Sequence, residues 1–247
     1  MSTDQYKKEV GMMNLDKLIE TREYISKVNF PIEEKELLKR FEQLYTGAVN
    51  DVMREFCHLN QALPGHILPL REYRTVAGFA FTVKSSPNVL IQGEMEFRTN
   101  MLDEMGEDAF VIWDTGNDEK ATLWGGVMTA TAKGKKVKAA CIDGGIRDTH
   151  QIIAADFPVF YKYRISNGSL GRCLITHYQV PVLIGEALIR PGDVILGDID
   201  GVLAVPRDIA YDVLIRAEEI KENEKKIFCW VKEGQSIHEI KEKGGYF

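Results

Sequence analysis

Short apolar runs alternate with helical patterns through the middle of the chain. Residues 76–84, 106–114 and 137–143 are rich in small and β-branched side chains, which predicts buried strands. Residues 121–133 and 147–155 have the spacing expected of helices. Strands that alternate with helices form α/β cores, because each helix covers the sheet between strands. The pattern therefore predicts an α/β core with a mixed sheet.

The later part of the chain has a different sequence pattern. Residues 180–206 contain three short apolar runs separated by Gly, Pro and Asp, which predicts a β-meander or a pair of hairpins. A long charged helix is expected from 207 to about 232, followed by a polar tail over 234–247. We divide the chain into an N-terminal, partly helical extension (1–45), an α/β core (46–208), and a C-terminal helix and tail (209–247).

Two helices are expected near the N-terminus. A helix is predicted around residues 14–27, and Pro31 followed by two acidic residues indicates a second helix start. Leu37, Leu38 and Phe41 share one face of that second helix. A third helix is predicted from Thr46 to about residue 56.

Composition and charge exclude several function classes. The 247 residues are 45% hydrophobic and carry a formal net charge of −6, which is ordinary for a globular protein. An acidic surface repels phosphate backbones, so no nucleic-acid partner is expected. The four cysteines form no C-x-x-C pair, so neither a zinc knuckle nor a redox motif is indicated. No signal-peptide or membrane-span pattern is present, which predicts a cytoplasmic protein without a membrane partner.

The stretch most informative about chemistry lies where a predicted strand ends in an Asp-Gly-Gly turn at 143–145. Arg147 and Asp148 follow it, at the kind of strand end where α/β sheets bind ligands. Arginine presents a planar fork to a carboxylate, and aspartate offers a hard oxygen ligand to Mg²⁺ or Mn²⁺. Gly125 and Gly126 would let an anion approach backbone N–H groups at a helix start. Together these features fit a 2-oxo acid chelated by a metal, which would stabilise its enolate.

Each of these features also has a common structural meaning. A strand-end Arg-Asp pair is more often a surface ion pair or a helix cap. His150 is either a proton donor or a helix-surface histidine, and Arg172 either reaches a distal carboxylate or forms a structural ion pair. Asp198-Ile-Asp200-Gly201 lacks the ligand pattern of a calcium loop, so a turn is expected there. Residues 133–136 lack phosphate-loop spacing and are expected to form a solvated turn.

Several segments, taken in order, resemble the RraA-like family, which includes 4-hydroxy-4-methyl-2-oxoglutarate aldolases and oxaloacetate decarboxylases. The resemblance covers about residues 44–237. It is carried by Thr46-Gly-Ala-Val-Asn-Asp-Val, Val76-Ala-Gly-Phe-Ala-Phe-Thr-Val, Trp124-Gly-Gly-Val-Met, Asp143-Gly-Gly-Ile-Arg-Asp, Ser169-Leu-Gly-Arg, Val180-Pro-Val, Arg190-Pro-Gly-Asp-Val-Ile and Gly197-Asp-Ile-Asp-Gly-Val-Leu-Ala-Val-Pro.

The resemblance implies a fold, an assembly and a chemistry. The fold would be a β/β/α sandwich of the phosphohistidine-swivelling type, assembled into trimers or hexamers with active sites at subunit interfaces. Arg147 would bind pyruvate, and the backbone amides of Val127 and Met128 would hold its carboxylate. Asp148 would bind a divalent metal, Mg²⁺ or Mn²⁺. Glu224 of a neighbouring subunit, with Glu222 as the alternative, would contact that metal through water.

Two departures from the family pattern concern the charge of this site. The aldolases carry an acid at the position of Gly126 and another at the position of Gln151. The loss of both should weaken metal binding or shift proton transfer, and Asp118 or His150 would be the available substitutes. We therefore expect a metal-dependent lyase for small 2-oxo acids, acting by retro-aldol cleavage or decarboxylation. The alternative is a non-catalytic regulator that binds a ribonuclease or another protein.

Overall fold

The computed structural model describes residues 15–23 and 28–244. Its strands are β1 Leu68–Pro69, β2 Val76–Pro87, β3 Ala109–Asp114, β4 Thr122–Trp124, β5 Ala139–Ile146, β6 Val159–Arg164, β7 Cys173–Tyr178, β8 Val182–Ile184, β9 Ala187–Ile189, β10 Val194–Asp198 and β11 Gly201–Val205. Its helices are α1 Asp16–Glu23, α2 Glu34–Phe41, α3 Thr46–Glu55, α4 Glu94–Glu104, α5 Gly126–Gly134, α6 Thr149–Ala154, α7 Ala210–Lys232 and α8 Ile237–Glu242.

The main sheet curls into a nearly closed barrel. Its strands follow the order β1-β6-β5-β3-β2-β10-β11, with β4 paired to β5 and β7 paired to β2. Strands β2, β3, β5 and β6 run parallel, whereas β10 and β11 are antiparallel to their neighbours. The segment before β1 narrows the remaining gap, because Ala62 bridges to Leu203 of β11 while Leu68 pairs with Tyr161 of β6. The mixed α/β architecture predicted from the alternation is confirmed.

Alternating residues of the central strands supply both faces of the sheet. Phe110, Ile112 and Cys141 point to the inside, where the β8–β9 hairpin packs against them. Val111 and Trp113 point outward and pack against residues of α4, α5 and α6. The two-residue side-chain period of a strand thus separates one sequence into two cores.

A third apolar cluster lies on the outer face of β10 and β11. Helices α2, α3 and α7 cover it, and Leu37, Leu38 and Phe41 of α2 are buried there as their spacing predicted. Helix α2 belongs to the predicted N-terminal extension, yet it packs into this shared core. The division at residues 45/46 and 208/209 itself stays a prediction.

Helix boundaries near the termini agree in part with the sequence predictions. Helix α3 occupies Thr46–Glu55 and α7 occupies Ala210–Lys232, close to the expected ranges. Helix α1 covers Asp16–Glu23 of the predicted 14–27, whereas positions 14 and 24–27 lie outside the described residues. The polar tail prediction was wrong for 237–242, which form α8 with a capping box of Ser236 and Glu239.

Two predictions around the glycine pairs were also wrong. The helix predicted over 121–133 begins only at Gly126, because Thr122–Trp124 pair with β5 as a strand. The turn predicted at 143–145 does not form, and β5 continues through Gly144 and Gly145 to Ile146. A side chain at Gly144 would meet Thr115, and one at Gly145 would meet the Ala121 carbonyl, so these glycines permit close packing rather than a turn.

Helix α4 and strand β7 were not predicted from the sequence. Helix α4 has almost no amphipathic contrast, since only Glu94 and Met101 are buried along it. Buried Glu94 reverses the polarity expected of an inward-facing position, so the periodicity gave no signal.

Within the residues that the structure describes, no helix is both long and apolar enough to cross a membrane.

We predict that Gly145→Ala destabilises the fold by about 2–3 kcal/mol. A Cβ at this position would lie 2.5 Å from the Ala121 carbonyl oxygen and 2.6 Å from the Tyr163 ring, and the carbonyl belongs to the backbone. Gly134→Ala is the matched control, because nothing lies within 4 Å of its Cβ position. Urea unfolding of both variants measures the difference, and equal midpoints would contradict the packing role of Gly145.

We also predict a pH dependence of stability that depends on Asp193. Its buried carboxylate accepts from the backbone amides of Arg190 and Arg207, but burial raises its pKa from 3.8 to about 6. Between about pH 4 and 6 the folded state therefore binds more protons than the unfolded state, so stability rises as pH falls through that window. Relative to Asp193→Asn, the unmodified protein should gain unfolding free energy from pH 7.5 to 4.5. Parallel pH profiles in urea unfolding would exclude this contribution.

Candidate active site

The ends of β4 and β5 bring two short segments side by side. The backbone N–H of Arg147 donates to the carbonyl of Trp124 at 3.0 Å. Trp124 is fully buried, and its indole N–H donates to Thr129, so the end of β4 is fixed to the first turns of α5. Gly125 and Asp148 therefore emerge next to each other from adjacent strand ends.

Asp148 connects the starts of two helices. Its Oδ2 accepts a hydrogen bond, at 3.2 Å, from the backbone N–H of Gly126, the first residue of α5. Its backbone carbonyl accepts from Gln151 and Ile152 in α6. The residue adopts a left-handed conformation with φ 54°, which Asp tolerates better than most residues. A Cβ on Gly125 would lie 2.8 Å from Oδ2, so glycine is required for this approach.

Arg147 lies beside this carboxylate with its side chain half exposed. Its Nε is 3.7 Å from Asp148 Oδ2, and its Nη1 donates to the carbonyl of Ser166 at 3.4 Å. The same Nη1 is 3.2 Å from the position that a Cβ on Gly168 would take. Because neither long contact uses the guanidinium fully, Arg147 retains donors for an anionic ligand.

The first turn of α5 faces the same space. The N–H groups of a helix's first turn have no partner within the helix, and they carry the positive end of its dipole. Val127 in this turn is 78% exposed, whereas the Met128 side chain packs into the core. The predicted residues Gly125, Gly126, Val127, Met128, Arg147 and Asp148 thus lie together in the structure.

The two departures from the aldolase pattern are physically coupled. A Cβ added to Gly126 would overlap the side-chain oxygen of Gln151. Gln151 therefore occupies the volume into which an acid at position 126 would extend. A neutral amide replaces carboxylate charge beside Asp148, so the site carries less negative charge than two acids would give it.

Other predicted candidates lie in different settings. Asp118 is buried and accepts from the backbone amides of Lys120 and Ala121 and from the Tyr163 hydroxyl, so it serves the local loop. Burial and Asp118 together raise the pKa of Tyr163. His150 is exposed on α6. Arg172 donates to the Gly168 carbonyl at 2.9 Å, a contact that agrees with a structural role without excluding a ligand.

Among the described residues, neither candidate glutamate contacts Arg147 or Asp148. Glu224 accepts a hydrogen bond from the Tyr45 hydroxyl, whose pKa is raised by burial and by this glutamate. Glu222 is exposed and pairs with Lys225 on the same helix. A contribution of Glu224 to the site of a neighbouring subunit stays a prediction.

A buried ionic network that was not predicted from the sequence lies on the wall of this site. Arg98 donates to Glu94, to Ser169 at 2.8 Å and towards the Met128 sulfur at 3.6 Å. Glu94 is 1% exposed. The Glu94–Arg98 spacing of four residues was the available signal, but on a helix it usually marks an exposed pair.

The donor set allows a weakly held divalent ion. In the described part of the chain, no group of three or more His, Cys, Asp or Glu side chains could enclose a metal. Asp148 provides one half-exposed carboxylate, and Mg²⁺ commonly binds through one or two carboxylates with water and substrate oxygens completing its shell. The residues present thus fit a substrate-assisted Mg²⁺ or Mn²⁺ site better than a preformed cage.

Comparisons with known proteins show which family this chain resembles. The RraA-like family model, described as Aldolase/RraA, matches residues 46–204. A protein of Halalkalibacterium halodurans, provisionally named 4-hydroxy-4-methyl-2-oxoglutarate aldolase, is 28% identical over 75% of this chain and 84% of its own. Protein DlpA of Legionella pneumophila is 25% identical over 83% of this chain, which spans only 33% of DlpA.

Solved structures share the fold. A crystal structure described as that of novel cellulases from microbes associated with the gut ecosystem has 79% identity and a TM-score of 0.87, covering 90% of this chain and 100% of that one. Streptomyces coelicolor RraAS2, described as an unusual member of the RNase ES inhibitor RraA family, has 21% identity and a TM-score of 0.71, over 80% of this chain and 98% of its own. The second likeness concerns the fold alone.

The family includes both aldolases and non-catalytic ribonuclease inhibitors, and its members form oligomers. The matched region contains strands β1 to β10 and all but the last residue of β11, together with Arg147, Asp148 and the glycine pair at the start of α5. The expected fold is confirmed by these neighbours. The chain belongs to the RraA-like family.

Proposed function

We propose that this protein is a divalent-metal-dependent lyase that releases pyruvate from 2-oxo acids. The observation that carries the proposal is the convergence of Asp148, Arg147 and the first turn of α5. A 2-oxo acid has two needs that this arrangement meets: a cation at its adjacent oxygens and donors at its carboxylate. The provisionally named aldolase relative belongs to the same family.

The chain's own groups divide these tasks. Asp148 would hold Mg²⁺ or Mn²⁺ through its carboxylate, because a hard oxygen ligand suits a hard cation. Arg147 and the amides of Val127 and Met128 would hold the substrate carboxylate through charge-assisted hydrogen bonds. The metal, when bound, would act as the electron sink for the bond that breaks.

Retro-aldol cleavage and decarboxylation make similar demands on this site. In the first reaction, the C3–C4 bond breaks, its electron pair stays on C3, and the C4 hydroxyl loses its proton to give an aldehyde or ketone. In the second, the carboxylate on C3 leaves as carbon dioxide with the same electron pair retained. C3 then takes a proton in both cases. Gly126 and Gln151 carry no titratable group, so we propose that water transfers these protons beside Asp148.

Two other functions have weaker support in the geometry. A ribonuclease regulator does not need an Arg-Asp pair at a helix start, so that function leaves the arrangement of Arg147 and Asp148 unexplained. Cellulose hydrolysis, named for the structure with 79% identity, requires two carboxylates flanking an open cleft. Asp114 and Asp143 lie on neighbouring strands, but both are buried and Asp114 pairs with Lys84 at 2.5 Å.

We predict that Asp148→Asn lowers pyruvate release from 4-hydroxy-2-oxo acids or oxaloacetate by about 100-fold or more. Asparagine tolerates the left-handed backbone and still accepts from Gly126, but it loses the charge that holds the cation. Asp103→Asn is the matched control, because this residue is exposed and its side chain contacts neither Arg147 nor Asp148. A coupled pyruvate assay with Mg²⁺ or Mn²⁺ gives the readout.

The same preparations separate the alternatives. Equal turnover of Asp148→Asn and the unmodified protein would exclude the role given to Asp148. Reducing sugar released from a soluble β-1,4-glucan, with no pyruvate from any 2-oxo acid, would replace the lyase with a glycoside hydrolase. A stable complex with a ribonuclease, together with no metal binding by calorimetry, would favour the regulator.

A further inference from the structure

A polar cleft lies next to the candidate active site and is not used by the proposed pyruvate chemistry. Its volume is about 910 Å³, at the upper end of the range typical of ligand pockets. It lies between the loop after β2, the loop after β3 and the loop after β6. The polar residues lining it are Asn88, Asn117, Asp118, Glu119, Lys120, Asn167 and Arg172.

The cleft adjoins the Arg147 site along the loop after β6, where Arg147 donates to the Ser166 carbonyl and Asn167 lines the cleft. Arg172 donates to the Gly168 carbonyl at 2.9 Å from one side. Arg147 Nη1 approaches the Cβ position of the same glycine at 3.2 Å from the other. Both guanidinium groups therefore approach the same glycine, so the cleft lies close to the group that would hold the head of the ligand.

Two acids and two cations line the cleft, and the cations are the groups that keep unused donors for a ligand. The Asp118 carboxylate is buried and committed to the backbone of its own loop, and Glu119 lies 4.0 Å from Lys162. Among the described residues, no partner is recorded for Lys120 Nζ, and Arg172 uses only Nη1. These unused donors can hold an anionic group beside Lys120 and Arg172.

The neutral residues of the cleft indicate the chemistry of the ligand segment that would link this anion to the 2-oxo acid group. Asn117 makes no recorded side-chain hydrogen bond, Asn88 uses only its oxygen, and Asn167 uses only its nitrogen. A carboxamide both donates and accepts, which matches hydroxyl groups. Three such amides beside two cations suit a hydroxylated chain that ends in a carboxylate or a phosphate.

We propose that this cleft is the distal subsite of the enzyme, and that its substrates are 3-deoxy-2-oxo sugar acids with an anionic terminal group. This inference rests on the proposed lyase function. The head of such an acid would lie at Arg147 and Asp148, its hydroxyls beside the asparagines, and its terminal anion at Lys120 and Arg172. Cleavage between C3 and C4 would yield pyruvate and a hydroxy-aldehyde that retains the anion.

The test compares six-carbon acids that differ only at the terminal carbon, with 4-hydroxy-2-oxopentanoate as the short reference. The terminal group is a phosphate, a carboxylate or a neutral alcohol. We expect kcat/KM to be highest for the acid that ends in a phosphate or for the acid that ends in a carboxylate. Whichever of the two is preferred identifies the anion that the cleft binds. Arg172→Ala should lower kcat/KM for that acid by about 10- to 100-fold while changing the short substrate less than about 3-fold. Lys120→Ala, which removes no recorded side-chain contact, should lower it by a smaller factor in the same direction.

Arg164→Ala is the matched control, because it removes the same charge from a residue that does not line the cleft. Calorimetry of the preferred six-carbon acid against all four proteins provides a readout independent of turnover. Equal affinity for the unmodified protein, Arg172→Ala and Lys120→Ala would overturn the subsite, even if pyruvate is released. Weaker binding by both cleft variants with no pyruvate release would retain the subsite for binding and exclude the lyase.

Discussion

The hydrogen bond from the Gly126 amide to the Asp148 carboxylate is the contact on which the site depends. It joins the start of α5 to the start of α6, and it forms only because the β4 and β5 ends lie side by side. Gly125 allows the carboxylate to approach, and the left-handed backbone of Asp148 turns it towards α5. Without this contact, the Asp148 carboxylate would not be held at the start of α5.

The same contact explains how one site can combine a cation and an anion. Asp148 supplies negative charge where a divalent ion would bind, whereas Arg147 and the first turn of α5 supply positive potential a few ångströms away. A 2-oxo acid joins these two regions. Gly126 and Gln151 distinguish this chain from the aldolases it resembles. The Gln151 side chain fills the volume that a side chain at position 126 would occupy. The exchange lowers negative charge while keeping the packing, so weaker metal binding and water-mediated proton transfer are its expected consequences.

Much of this fold could be predicted from the sequence, since β3 and β5 are fully buried apolar runs, β2 is mostly buried, and the segment after residue 180 shows regular turn signals. The glycine pairs were misread because sequence alone does not show which side chain fills the space next to a glycine. A turn is predicted at Gly144 and Gly145 from the sequence, yet Thr115 and Tyr163 occupy the space beside them and β5 continues to Ile146. Helix α4 was missed because it buries Glu94 against Arg98, an ionic core that periodicity analysis does not recognise. Arg147 and Asp148 were found through their order in the chain, whereas the cleft beside them brings together three loops that are far apart in sequence.

The central claim is that Asp148 holds a metal while Arg147 and the first turn of α5 hold the carboxylate of a 2-oxo acid. A crystal structure with Mn²⁺ and pyruvate, with anomalous scattering used to locate the manganese, tests it most directly. The account predicts an anomalous peak at bonding distance from a carboxylate oxygen of Asp148. It also predicts the pyruvate carboxylate on Arg147 and on the amides of Val127 and Met128. Manganese bound away from Asp148, or pyruvate bound away from Arg147, would contradict it.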